Sequence, residues 1–191
     1  SIIRSLDAIR NADIVVLVID VSEEISDQDI KIAGLIHEQN KPSVIVLNKW
    51  DLIEKDTNTM NKYEKILEQE LAFMSYYKSV YLSALTGKRT EKLMQAVEKV
   101  IENSNRKVSA GALNDVLQDA YTINSPTYKK GKKLRIFYST QTGANPPTFV
   151  LFVNDIKLMS DNYLRYLENN IRKAFDFSGT PNAIEARTPP I

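Results

Sequence analysis

Three short apolar runs, each followed by a stretch of helical period, constrain the first hundred residues more than any other feature. "ADIVVLVID" is a continuous apolar run bounded by acidic residues, as expected for a strand covered on both faces of a parallel sheet. "SDQDIKIAGLIHEQNK" follows, with Ser26 as N-cap, Asp29 three residues later, Ile30, Ala33, Leu35 and Ile36 on one side, and Pro42 as the stop. "SVIVLN" and "SVYLSAL" read as the second and third strands. "NKYEKILEQELAFM" is a helix with Tyr63, Ile66, Leu67, Leu71 and Met74 inward, and "RTEKLMQAVEKVIENS" one with Leu93, Ala96, Val97, Val100 and Ile101 inward. Repeated strand–helix alternation implies right-handed crossovers and a parallel α/β sheet.

The rhythm changes after "NSNRKVSAG", residues 103–111, which divides the chain into an expected domain of residues 1–106 and another of 107–191. "ALNDVLQDAYTIN" reads as a short helix, "SPTYKKGKK" as a loop, and "LRIFYST" and "TFVLFVN" as strands joined by "QTGANPP". "SDNYLRYLENNIRKAFD" is an amphipathic helix with Tyr163, Leu164, Leu167, Ile171 and Phe175 inward, and Gly179 is expected to stop it. "NAIEAR" is a final strand. This α-β-β-α-β order predicts a small sheet with helices on one face.

Charge divides the same way. Residues 1–106 carry 14 Lys and Arg against 17 Asp and Glu, whereas 107–191 carry 11 against 7. The basic second half is the better candidate for a phosphate backbone. The absence of cysteine excludes disulfides and thiolate metal sites. The longest apolar run, Ile14 to Ile19, is too short for a helical membrane span. The N-terminus, "SIIRSLDAIRNAD", lacks an initiator Met and a signal pattern, so the chain is expected to start inside a longer one.

Ligands of an open parallel sheet bind beyond the carboxyl ends of its strands. Two polar clusters fall there: Asn48-Lys49-Trp50-Asp51 after the second strand and Ser83-Ala84-Leu85 after the third. This chemistry suits guanine. A carboxylate accepts in parallel from N1–H and the 2-amino group, and an Asn amide or backbone N–H serves O6 and N7. Adenine would leave that carboxylate unpaired, and a Lys stem laid over the ring would shield it from water. The plainer reading is local capping, with Asn48 closing a turn and Asp51 capping the next segment. Trp50 reads as packing at the strand end rather than as a base contact.

N-K-W-D followed by S-A-L resembles the fourth and fifth guanine-nucleotide motifs of the Ras-like GTPase superfamily. "ADIVVLVIDVSEEISDQD", "PPTFVLFVND" at 146–155 and "YLENNIRKAFDFSGTP" at 166–181 are similar, more specifically, to the Der (EngA) family of bacterial tandem GTPases. The resemblance covers the whole chain. It implies the C-terminal half of the second GTPase domain, a partial Ras-like P-loop GTPase domain of α/β class, followed by an α+β KH-like domain. It further implies GTP or GDP binding, with Mg²⁺ and K⁺ acting through a preceding segment, and action in assembly of the large ribosomal subunit. Contact with rRNA, an upstream first GTPase domain as a further partner and a cytoplasmic location follow from it as well, with neither a membrane span nor DNA binding. Asn48, Lys49, Asp51, Ser83, Ala84 and Leu85 would hold the guanine. A non-catalytic RNA- or ribosome-binding module on a degenerate G-domain scaffold is the alternative.

No G-x-x-x-x-G-K-[ST] phosphate loop occurs. "LSALTGKRT" departs from it at Leu82 and Arg89, and "DFSG" at 176–179, the one D-x-x-G, reads as a helix terminator. The resemblance places the phosphate loop and switches before Ser1, so the chain alone is expected to be inactive in hydrolysis. A KH fold grips single-stranded nucleic acid through a G-x-x-G loop, and none occurs here. Lys129, Lys130, Lys132, Lys133 and Arg135, beside Tyr128, are the candidates for RNA phosphate contact, against the plainer reading of a solvated loop. His37 reads as a surface or boundary residue and Asp20 as structural. Tyr163, Tyr166 and Phe175 read as core.

Overall fold

The computed structural model describes residues 1–190 and divides into two compact units. The first is Ser1–Ser104 together with Ser178–Pro181, four residues that the sequence pattern assigns to the second domain. The second is Asn105–Phe177 with the chain from Asn182 onward.

In the first unit, helix α1 (Ile2–Asn11) precedes strand β1 (Val15–Asp20), helix α2 (Asp27–Glu38) and strand β2 (Ser43–Asn48). Helix α3 (Thr59–Glu70), strand β3 (Lys78–Tyr81) and helix α4 (Glu91–Ser104) complete it. The sheet is parallel, in the order β1-β2-β3, with Asp20 level with Asn48. α2 begins where the sequence predicts. Ser26 Oγ accepts from Asp29 N–H at 3.1 Å while the Asp29 carboxylate accepts from Ser26 N–H at 3.2 Å, a reciprocal capping box.

β2 is the central strand and is buried on both faces from Ser43 to Leu47. One face, with Ile45 and Leu47, joins Ala33 and Ile36 of α2, Leu67 of α3, and Leu71 and Met74 beyond it. The other, with Val44 and Val46, packs against Val80, Ala96 and Val100. Each of the Val, Leu, Ile and Met side chains among these contributes roughly 1.5–3 kcal/mol of burial. β1 departs from expectation. It is an edge strand whose Leu17 and Ile19 enter the core, while Val16 and Val18 on the opposite face remain 37% and 54% exposed. α4 packs mainly on β2 and β3, and Val16 and Val18 lie on that side of the sheet at its edge. Ile66 and Ile101, expected inward, are also exposed, each at the flank of its helix's apolar stripe. β3 ends at Tyr81, so Ser83–Leu85 lie in the following loop.

Ser178–Pro181 is tied into this unit by backbone geometry. Ser43 N–H donates to Gly179 O at 2.8 Å, Gly179 N–H to Tyr76 O at 2.6 Å, and Asn103 Nδ2 to Ser178 O at 3.0 Å. Gly179 is therefore no helix stop, nor is "DFSG". The helix ends earlier at Ala174, capped by an extended Phe175. Glycine is required at 179 because φ is +81° and a Cβ would lie 2.2 Å from Val100 Cγ2 and 3.1 Å from Ser43 O.

The second unit runs through helix α5 (Ala110–Ile123), strands β4 (Ile136–Gly143) and β5 (Thr148–Val153), helix α6 (Asp161–Ala174) and strand β6 (Ala183–Arg187). β4 pairs antiparallel and β6 parallel with the central β5. Leu113, Leu117 and Ala120 of α5 and Tyr163, Leu167 and Ile171 of α6 meet Phe149, Leu151 and Val153 of β5. Both helices start at serine caps, Ser109 and Ser160. The basic loop is a tight hairpin. Lys129 and Lys132 exchange N–H···O bonds of 2.8 and 3.0 Å around Lys130 and Gly131, both at positive φ, as a type I′ turn requires. The fold is thus α/β with a parallel sheet in the first unit and α+β with a mixed sheet in the second, as the sequence pattern predicts.

Candidate functional site

The polar cluster lies where the parallel sheet ends. Asn48 is the last residue of β2 and ties three chain segments together. Its carbonyl accepts from Val21 N–H at 3.1 Å, just past β1, and its side-chain Oδ1 accepts from Ala84 N–H at 3.0 Å, just past β3. With Oδ1 committed to Ala84, the amide NH₂ is the edge left for another acceptor.

Lys49 then takes a left-handed conformation, φ 63° and ψ 29°, and starts a single 3₁₀ turn over Trp50–Leu52. The reversal sends neighbouring side chains in opposite directions. Trp50 is buried, with ring centroids 4.7 Å from Tyr81 and 5.5 Å from Tyr63, and its N–H donates to Leu82 O at 3.1 Å. Asp51 faces solvent and has no hydrogen-bonded partner among the described residues. The indole is the anchor that holds Asp51 outward.

Lys49 is paired. Its Nζ lies 2.6 Å from Asp20 Oδ2, at the end of β1. The Lys49 hydrogen bond, and after it the Ser22 hydroxyl, hold the Asp20 carboxyl down at about 2, and Asp20 in turn raises Lys49. Both side chains are partly exposed, so the pair orients Lys49 rather than adding much stability. Sequence reasoning placed Asp20 at a strand end but missed this partnership. The available signal was the parallel register, which sets Asp20 beside Asn48.

The loop after β3 is a compact turn. Ser83 is buried, its N–H donates to Lys88 O at 3.0 Å, and its Oγ accepts from Thr86 N–H at 3.2 Å. Arg89 Nε reaches back to Tyr81 O at 2.9 Å. Leu85 is 90% exposed. Thus Asn48 and Ala84 are joined, Lys49 meets Asp20, Ser83 shapes the loop, and Asp51 and Leu85 stand apart in solvent.

In the second unit, Lys129, Lys130, Lys132 and Arg135 are exposed on or beside the hairpin. Lys129 Nζ donates to Lys157 O at 3.1 Å, and Lys133 Nζ sits over the Tyr121 and Tyr128 rings at 5.6 and 5.8 Å. His37 packs between Phe73 and Tyr76, its Nδ1 2.8 Å from the Tyr76 hydroxyl. Among the described residues no group of three or more His, Cys, Asp or Glu side chains could hold a metal, and no helix is long and apolar enough to cross a membrane.

Comparison with known proteins matches both units. Residues 2–103 match the elongation factor Tu GTP binding domain family, and residues 107–187 the family described as KH-domain-like of EngA bacterial GTPase enzymes, C-terminal. GTPase Der of Lachnoclostridium phytofermentans is 49% identical over 180 residues, 94% of this chain and 41% of that protein. GTPase Der of Alkaliphilus metalliredigens is 50% identical over 181 residues, 95% and 41%. GTPase Der of Streptococcus uberis is 46% identical over 187 residues, 98% and 43%. The chain therefore spans less than half the length of these relatives. Among solved structures, Aquifex aeolicus Era aligns over 96% of this chain and 67% of its own, with TM-score 0.43 and 18% identity. A probable GTP-binding protein engB aligns over 53% and 62%, with TM-score 0.42 and 22% identity.

Proposed function

We propose that this chain, which belongs to the elongation factor Tu GTP-binding domain family and is homologous to GTPase Der along 94–98% of its length, recognises the base of a guanine nucleotide at the ends of β2 and β3. The observation that carries this reading is the Asn48–Ala84 hydrogen bond of 3.0 Å, formed while the Trp50 anchor leaves Asp51 exposed. In this reading Asp51 accepts from guanine N1–H and the 2-amino group. The NH₂ of Asn48 donates to the O6/N7 edge, and the Lys49 stem, steadied by Asp20, covers the ring. Ser83 holds the loop that brings Ala84 to Asn48, and Leu85 gives that loop an apolar rim.

The phosphates fall outside what these residues serve. The chain carries no G-x-x-x-x-G-K-[ST] stretch. No step of hydrolysis is assigned to it, and the chain alone is a weak, base-reading half rather than a working GTPase. The KH-like unit supplies the other partner: Lys129, Lys130, Lys132, Lys133 and Arg135 contact rRNA phosphates during assembly of the large ribosomal subunit in the cytoplasm. Its basic balance and the exposed hairpin support this.

Saturation-transfer NMR with GDP and ADP at equal concentration tests the base reading. Transfer to the guanine proton and not to the adenine protons is expected. Equal transfer to both bases would overturn it.

A further inference from the structure

On the second unit a groove of about 590 Å³ runs between α5 and β4. Leu117 and Tyr121 of α5 form its floor. Its rim is Arg135 with Phe137 and Tyr138, two consecutive aromatics that are 56% and 47% exposed. A β-bulge between Ile136 and Tyr138 breaks the strand's alternation, so neither ring enters the core. Tyr138 stacks on Phe152 with centroids 4.5 Å apart and planes 24° from parallel, and about half of its surface stays exposed. The lysine hairpin lies directly before Arg135 in the chain, and Lys133 already contacts the groove's Tyr121. The acidic residues of α5, Asp115 and Asp119, do not line the groove.

β4 is an edge strand, and an edge ordinarily invites an added peptide strand. Here that edge is closed at Ser139, whose N–H donates to Asn114 Oδ1 at 2.8 Å and whose carbonyl accepts from Asn114 Nδ2 at 2.9 Å. An incoming strand would find that ladder position already bonded to α5. What the groove offers is two aromatic faces and a guanidinium beside a run of lysines, the donor set for unpaired bases on a phosphate backbone.

We infer that the α5–β4 groove binds single-stranded RNA by base stacking on Phe137 and Tyr138, with Arg135 and the 129–133 hairpin holding the adjoining phosphates. This rests on the proposed RNA role of the hairpin and adds to it a surface that reads bases rather than charge. Every base has a stacking face, so the groove tolerates many sequences but requires them unpaired.

The test is fluorescence anisotropy of a labelled oligouridylate dodecamer titrated with the full chain over a salt series. Phe137→Ala and Tyr138→Ala should each weaken binding about tenfold and leave the salt slope unchanged. Lys132→Ala should instead lower that slope by about one. Phe137→Trp should retain binding, and matched melting curves of the variants guard against misfolding. An unlabelled RNA duplex should compete poorly. Unchanged affinity of both alanine variants, with the lysine effect intact, would overturn the groove and spare the hairpin, leaving the groove to a peptide ligand. Equal competition by duplex would overturn it too. Absence of any binding by the native chain would remove the RNA role and the groove together.

Discussion

The Lys49 ammonium lies 2.6 Å from the Asp20 carboxylate, across the ends of two neighbouring parallel strands. The pair sets the acid behaviour of this end of the sheet. Asp20 is held at about 2, below its value in an unfolded chain, so its contribution is complete above the ordinary aspartate range and is lost as pH falls through about 2. A carboxyl-detected NMR titration should show Asp20 titrating near 2. In Lys49→Met it should move up toward the ordinary range, though not fully, because Ser22 still donates two hydrogen bonds to it. Between pH 5 and 8 the pair should be indifferent to pH.

Trp50 links the core to the site. Trp50→Ala should cost about 3–5 kcal/mol in urea denaturation and should also abolish nucleotide binding, since the turn that projects Asp51 loses its anchor. Trp50→Phe should lose less stability and keep base selectivity.

Two glycines should respond to alanine with opposite signs. Gly179→Ala forces a Cβ into Val100 at positive φ and should destabilise by about 2–4 kcal/mol. Gly34 lies inside α2 with nothing within 4 Å of an added Cβ, so Gly34→Ala should stabilise by about 0.5–1 kcal/mol. Chemical denaturation of the two variants beside the native chain checks both.

Asn48→Ala removes the acceptor for Ala84 N–H and the donor facing the base. A loss of about 0.5–1.5 kcal/mol in stability is expected, with a larger loss in GDP affinity than in melting temperature would suggest. A stability loss with unaltered GDP binding would assign Asn48 to the turn alone, the capping reading that its sequence context also allows.

Much of this arrangement was legible because local signals and tertiary context agree. β2 holds an unbroken apolar run from Val44 to Leu47 and is central, and Ser26 with Asp29 announces the start of α2. What escaped depends on neighbours that a linear pattern does not show. The β1 run resembles that of β2, yet Val16 and Val18 stay exposed because they lie at the sheet's edge and α4 packs mainly on β2 and β3. Gly179 looked like a helix stop by position, and its reason is Val100, far away in the chain. For the site, the N-K-x-D spacing marked Asn48, Lys49 and Asp51, whereas Asp20 emerges once the parallel register sets it beside them.

The most direct measurement is calorimetry of Asp51→Asn against GDP and xanthosine diphosphate. Xanthine carries a carbonyl where guanine carries its 2-amino group, so an amide at position 51 complements it as a carboxylate complements guanine. The native chain should bind GDP and reject the xanthine nucleotide, and the variant should reverse that order. A variant that binds both as the native chain does would contradict base reading by Asp51.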